Sequence, residues 1–152
     1  MKKTLLVLGF LFTPAALADP PTEVMNIVRE ADIKWQQSQV SPGAATAIVW
    51  GNPAVPGQPY VQRVRFSPGT FSPPHFHPET RHIVVLKGTW WVGHGPKWDK
   101  EATTPVPAGS FVVHHANKIH YDGAKDEEVI LQIIGIGPSA TIRVDDSGAP
   151  KQ

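Results

Sequence analysis

The sequence predicts an all-β domain, a barrel or sandwich of short strands, and three observations predict it. Sixteen prolines and thirteen glycines are spread through 152 residues, so turns are frequent and long helices are discouraged. From residue 45 onward, segments rich in Val, Ile, Thr and aromatic residues recur between Gly and Pro, and roughly seven to ten strands at that spacing close into a sandwich or barrel. No cysteine is present, so neither a disulfide framework nor a lipid-anchored cysteine supports the chain, and the fold stands on its hydrophobic core.

The chain opens MKKTLLVLGFLFTPAALADPP, with Lys2 and Lys3 ahead of an apolar run from Thr4 to Phe12 and then Ala16, Leu17 and Ala18 before Asp19. The run is too short to span a bilayer, and Ala-Leu-Ala is the small-x-small pattern that a signal peptidase cuts. Residues 1–18 are therefore expected to be a signal peptide, the mature protein to begin at Asp19, and its location to be periplasmic or secreted with no membrane contact after cleavage. About 134 residues follow, enough for one core and hardly for two. Loss of Lys2 and Lys3 moves the formal charge from +1 to about −1. The other basic residues are scattered singly, which speaks against nucleic acid as a partner.

Residues 19–32 read as an N-terminal segment. Within it, Val24 to Ala31 carries apolar residues at 24, 25, 27, 28 and 31, the spacing of one short amphipathic helix. The β domain is expected over 33–144, with strands in ATAIVW, YVQRVRF, RHIVVL, TWWVG, SFVVHH, EVILQII and TIRV. In YVQRVRF, alternation puts Tyr60, Gln62, Val64 and Phe66 on one face and Arg63 and Arg65 on the other, as in a half-exposed strand. The tail 145–152, DDSGAPKQ, is polar and expected to be flexible.

All seven histidines fall between His75 and His120, and such clustering favours a site over scattered surface use. On an extended strand, side chains two apart point the same way, so His75 and His77 can converge on one ion. A pair alone binds weakly and needs a third and usually a fourth ligand. A polar strand edge is the plain alternative.

Gly69, His75-x-His77, Gly88, the turn Pro107-Ala108-Gly109 and His120, eleven residues after Gly109, together resemble the two-motif signature of the cupin superfamily. The resemblance runs over roughly residues 33 to 138, and is greatest to small single-domain secreted or bacterial cupins of mostly unassigned function. It implies a double-stranded β-helix, a jelly-roll barrel with the site in its mouth. It also implies metal ligation by His75, His77 and His120.

The departure from the pattern is at the carboxylate. The position seven before Gly88, where the family carries a glutamate, holds Arg81, and the next residue is His82. If the strand runs on without a bulge, residues 75, 77, 79 and 81 share a face and Arg81 points inward. Arginine offers no lone pair to a metal and is repelled by one unless an anion intervenes. That register gives a three-histidine site in which Arg81 holds the carboxylate of a ligand or pairs with Glu79. A bulge after Pro78 brings in His82 instead and makes four histidines. A metal-free pocket is the remaining alternative.

Asp122, two residues after His120, faces the same side of a continuing strand as an acceptor or general base, or else belongs to the turn YDGAKD. His114 and His115 occupy a strand end and the following turn, where a capping or surface role is expected and one of them lining the pocket is the alternative, and His94 reads as part of a hairpin loop. Trp90 and Trp91 alternate, one to the core and the other to a cavity wall. No nucleophile motif is visible. The functional expectation is a metal-binding cupin holding one divalent transition metal (Fe, Mn, Ni, Cu or Zn). An oxygenase or isomerase acting on a small anionic organic molecule, with Arg81 and Asp122 as its catalytic residues, is one form of it, and a non-catalytic binding module is the other. A homodimer is expected, because barrels leave strand edges and faces to cover.

Overall fold

The computed structural model describes residues 24–39 and 41–151; the expected signal peptide and its cleavage site at Asp19 lie outside them. Among the described residues, eleven strands form two antiparallel sheets. The strands are β1 (Gln36–Gln37), β2 (Ala44–Gly51), β3 (Pro59–Phe66), β4 (Phe71–Phe76), β5 (Arg81–Lys87), β6 (Thr89–His94), β7 (Thr104–Pro107), β8 (Phe111–His114), β9 (His120–Gly123), β10 (Val129–Ile136) and β11 (Ile142–Arg143). One sheet has the order β1-β2-β3-β10-β5-β8 and the other β11-β4-β9-β6-β7. From β3 onward the chain passes from sheet to sheet at nearly every connection, the winding of a jelly roll.

Period-two alternation produces the core. Tyr60 and Phe66 of β3, Ile83 and Val85 of β5, Leu131 and Ile133 of β10 and Trp90 of β6 all turn between the sheets, and each such side chain contributes about 1.5–3 kcal/mol by burial. Gly88 joins β5 to β6 with φ +73°, and a Cβ there would sit 2.3 Å from the carbonyl oxygen of Glu128. Only glycine fits both the left-handed backbone and that approach.

Three elements differ from the sequence reading. The expected helix over 24–31 is reduced to a 3-10 turn at Glu30–Asp32, and Val24, Met25, Ile27 and Val28 are exposed. A short segment with two β-branched valines and an isoleucine has little to offset helix nucleation when its apolar face meets no core. The tail is not splayed: Asp145 Oδ1 accepts the backbone N–H groups of Ser147 and Ala149 at 2.9 and 3.0 Å, and Val144 bridges to Pro150. Strands β4, β7 and β9 were not marked by alternation, since two of them carry paired prolines and the third reads HYDG. In β7, Pro105 and Pro107 are tolerated because the strand is an edge.

Candidate functional site

Strands β4 and β9 set the histidines. Pro73 and Pro74 lack the N–H groups of a regular ladder, and the β4–β9 register shifts between Ser72 and His75, so that His75 comes directly opposite His120. His77 lies just past the end of β4, where the chain leaves for the other sheet. The three rings are buried, with centroids 4.8, 4.3 and 5.2 Å apart for the pairs 75–77, 75–120 and 77–120.

Their second nitrogens fix the tautomers. His75 Nδ1 faces the carbonyl oxygen of Pro73 at 2.7 Å, His77 Nδ1 that of Ala140 at 2.7 Å, and His120 Nδ1 that of Lys118 at 3.0 Å. A carbonyl only accepts, so each Nδ1 carries the proton and each Nε2 keeps a lone pair. Burial, followed by neighbouring charges, lowers the pKa of His75 to about 4, the Asp122 carboxyl opposing the shift, and pushes His77 far below its usual range. Both rings stay neutral at ordinary pH, as metal ligation requires. One nitrogen from each of the three lies within 4.8 Å of the others. An ion shared at about 2.0–2.1 Å from each asks for roughly 3–3.5 Å, so these residues could hold one after a modest inward movement of the rings.

Arg81 is 7% exposed and lines the cavity. It faces inward for a different reason from the continuous strand expected: residues 77–80 cross between the sheets, and Arg81 begins β5, whose inward positions are 81, 83 and 85. Nε donates to Glu79 Oε1 at 2.7 Å, Nη2 to Ser139 Oγ at 2.7 Å, and Nη1 to His77 Nε2 at 3.0 Å. Tyr60 donates to the same Glu79 oxygen at 3.0 Å. Burial alone would raise the Glu79 carboxyl, but Ser139 and Arg81 outweigh it and hold the group below the usual carboxylate range. His82 is exposed and stacks on Phe111 with centroids 6.1 Å apart.

Asp122 is buried on β9, its Oδ2 accepting Trp90 Nε1–H at 2.8 Å and its Oδ1 lying 4.0 Å from His75 Nε2. Trp90 therefore serves as core and cavity wall together, while Trp91 is half-buried under Lys125. Of His114 and His115 it is His114 that lines the cavity, with its ring 4.1 Å from that of His120, instead of capping the strand. Burial, then neighbouring charges, lowers its pKa to about 3. It stands opposite Arg81 in the β5–β8 ladder, and alternation from inward Val112 gives its direction. Ser139, in a loop with no motif, carried no signal in the sequence.

The cavity has a free volume of about 80 Å³, room for an ion with a few ligand atoms. A wider cleft of about 370 Å³ lies beside it, walled by Val92, Val106, Val112 and Ile119 with His94, His115 and Lys118, and His114 and His120 belong to both.

Two antiparallel sheets wound as a jelly roll, with a histidine triad between them, define a cupin. The chain belongs to the family of ChrR cupin-like domains, which matches residues 23–140. Solved structures share the fold. The polyketide cyclase RemF from Streptomyces resistomycificus is 18% identical with a TM-score of 0.67, covering 79% of this chain and 85% of that one. An RmlC-like cupin from Ralstonia eutropha is 19% identical with a TM-score of 0.63, covering 86% and 80%. The DMSP lyase DddQ from Ruegeria pomeroyi is 17% identical with a TM-score of 0.61, covering 78% and 64%. No curated protein sequence matches the chain.

Proposed function

We propose that this protein is an exported metal-binding cupin in which His75, His77 and His120 hold one divalent transition metal and Arg81 receives the anionic group of a small oxygen-bearing organic molecule. The observation that carries the reading is the set of three Nδ1–H···O=C bonds, which leave three Nε2 lone pairs inside one cavity. When bound, the ion supplies Lewis-acid or redox chemistry to an oxygen-bearing ligand. The chain's own residues fix the imidazole tautomers, exclude water with Phe66, Ile83, Leu131 and Ile133, and place one cationic and one acidic side chain, Arg81 and Asp122, at the same cavity. Oxygenase or isomerase turnover is the enzymatic form of this reading, and a polyketide cyclase and a DMSP lyase on the same fold support small organic molecules as its ligands. That support is analogy of fold.

A specific observation favours the second form, capture of a ligand or metal without turnover. Arg81 is already paired with Glu79 at 2.7 Å, so the guanidinium is less available to a substrate than a free one. Export rests on the amino-terminal segment, and mass spectrometry of protein from its native compartment tests it, an intact Met1 in a cytoplasmic species being the contrary result. A second copy is the proposed partner: Leu86, Phe111, Val113, Ile134 and Ile136 are exposed on three strands of one sheet, and Phe111→Glu with Ile134→Glu should shift a dimer to monomer in sedimentation. Metal and ligand roles are tested together by titrating the protein with a divalent ion and then with a small carboxylate. Heat of binding that vanishes in His75→Ala supports the site, and identical titrations in the two proteins oppose it.

A further inference from the structure

The carboxylate that the first motif lacks has a counterpart elsewhere in the cavity. Resting on the metal-binding reading above, we infer that Asp122 is a direct ligand of the same ion, binding through Oδ1 and completing the three-histidine set from the adjoining strand.

Placement is the first argument. Asp122 is two residues beyond His120 on β9, and the shift in the β4–β9 ladder between Ser72 and His75 leaves Ser72 opposite Asp122 and His75 opposite His120. The carboxylate and two of the histidines thus come from one adjacent strand pair. Oδ1 lies 4.0 Å from His75 Nε2, one of the three triad nitrogens. The three histidines form the tight cluster without it, so ligation by this oxygen requires the ion to sit on the His75 side of the triad or the carboxylate to move towards the other two rings.

Orientation is the second. Oδ2 accepts the Trp90 indole N–H at 2.8 Å, and the indole is 1% exposed within the core. This is how a liganding carboxylate is held in place: one oxygen is bonded to the scaffold and the other is directed to the ion.

Charge is the third. Arg81 and Asp122 are the basic and acidic side chains that line the cavity, and Arg81 is paired with Glu79 beside it. Asp122 is buried with the neutral Trp90 N–H and the imidazole of His75 as its contacts. A cation placed between the free carboxylate oxygen and the His75 nitrogen would have both as partners. Three imidazoles and one carboxylate make a set that suits divalent iron, manganese, nickel, copper or zinc. By contrast, a general base would need its free oxygen aimed at a substrate proton and away from the histidines.

The test uses Co²⁺ as the probe and the protein without a histidine tag. Asp122→Asn keeps an acceptor for Trp90 and should weaken Co²⁺ binding by about 100-fold or more, beyond the ~10–100-fold typical of losing an outer hydrogen-bond partner. Asp122→Cys places a thiolate at the same position in a chain with no other cysteine, and should produce a near-ultraviolet sulfur-to-cobalt charge-transfer band. Retained affinity in Asp122→Asn, or weakened affinity with no such band in Asp122→Cys, overturns the assignment and leaves Asp122 as a positioning residue or a spectator. His75→Ala separates the two levels: wild-type Co²⁺ binding lost in His75→Ala but unchanged in Asp122→Asn sinks this inference alone. A wild-type protein that takes up no Co²⁺ sinks the metal site with it.

Discussion

Nη1 of Arg81 lies 3.0 Å from Nε2 of His77, so the guanidinium rests on the ring nitrogen that an ion would take. The lone pair of His77 is shared between two claimants, and occupation by the metal requires the arginine to turn aside. An anion beside the ion gives the displaced guanidinium a partner, which ties metal binding to ligand binding.

Arg81→Ala should therefore tighten metal binding by about tenfold, the equivalent of one charge-assisted hydrogen bond no longer opposing it, and weaken binding of a small carboxylate by about 1.5–3 kcal/mol. Competition with a chromophoric chelator reads the first effect and calorimetry the second. Looser metal binding in the variant would mean that the arginine supports the site and does not compete for it. Arg81→Glu, which restores the residue usual at that motif position, should tighten metal binding further.

His82→Ala should leave metal content unchanged. The side chain is exposed, stacked on Phe111, and lies on the opposite face of β5 from Arg81. Loss of metal on this substitution, measured by elemental analysis, would reverse the assignment of the two neighbours.

The strands with regular alternation, and the cupin-like pattern of glycines and histidines, made the barrel legible in the sequence. So was the direction of Arg81, though through a wrong intermediate step. Even spacing gives that direction only for one strand running from 75 to 81, whereas the chain changes sheets between them, and the parity survives because β5 starts on an inward residue. His114 was undervalued because its inward direction follows only once Val112 is known to face the core. The bond from Arg81 to His77 was not legible at all. It depends on where Ser139 and Glu79 hold the guanidinium, and that is a product of three separate loops and strands.

Glu79→Gln should destabilise the fold by about 3–5 kcal/mol, since it removes the charge partner of a buried arginine. The side chains of the pair are 8% and 10% exposed, so solvent does little to compensate. Combining it with Arg81→Met should regain much of the loss, because the unpaired charge is then gone as well. Chemical denaturation of the single and double variants checks this, and additive losses would contradict it.

Acid should destabilise the protein over a defined window. The pKa values of His75 and His114 are lowered to about 4 and about 3 from an unfolded value of about 6.5, so between these limits the unfolded chain binds more protons than the native one. Stability then rises with pH: it should be full above about pH 6.5 and decline as pH falls towards 4 and 3. Thermal midpoints across this range, taken in the presence of a chelator, should follow that course. A flat profile from pH 7 to 4 would show that the rings are not held neutral.

His75, His77 and His120 form a working metal site once Arg81 turns aside from the His77 nitrogen. Elemental analysis of untagged protein, purified from its native compartment without chelators, tests it most directly alongside the double variant His75→Ala/His77→Ala. The account predicts close to one divalent transition metal per chain in the wild type and none in the variant. A wild-type protein that retains no metal and acquires none on titration, or equal metal content in both proteins, would contradict it.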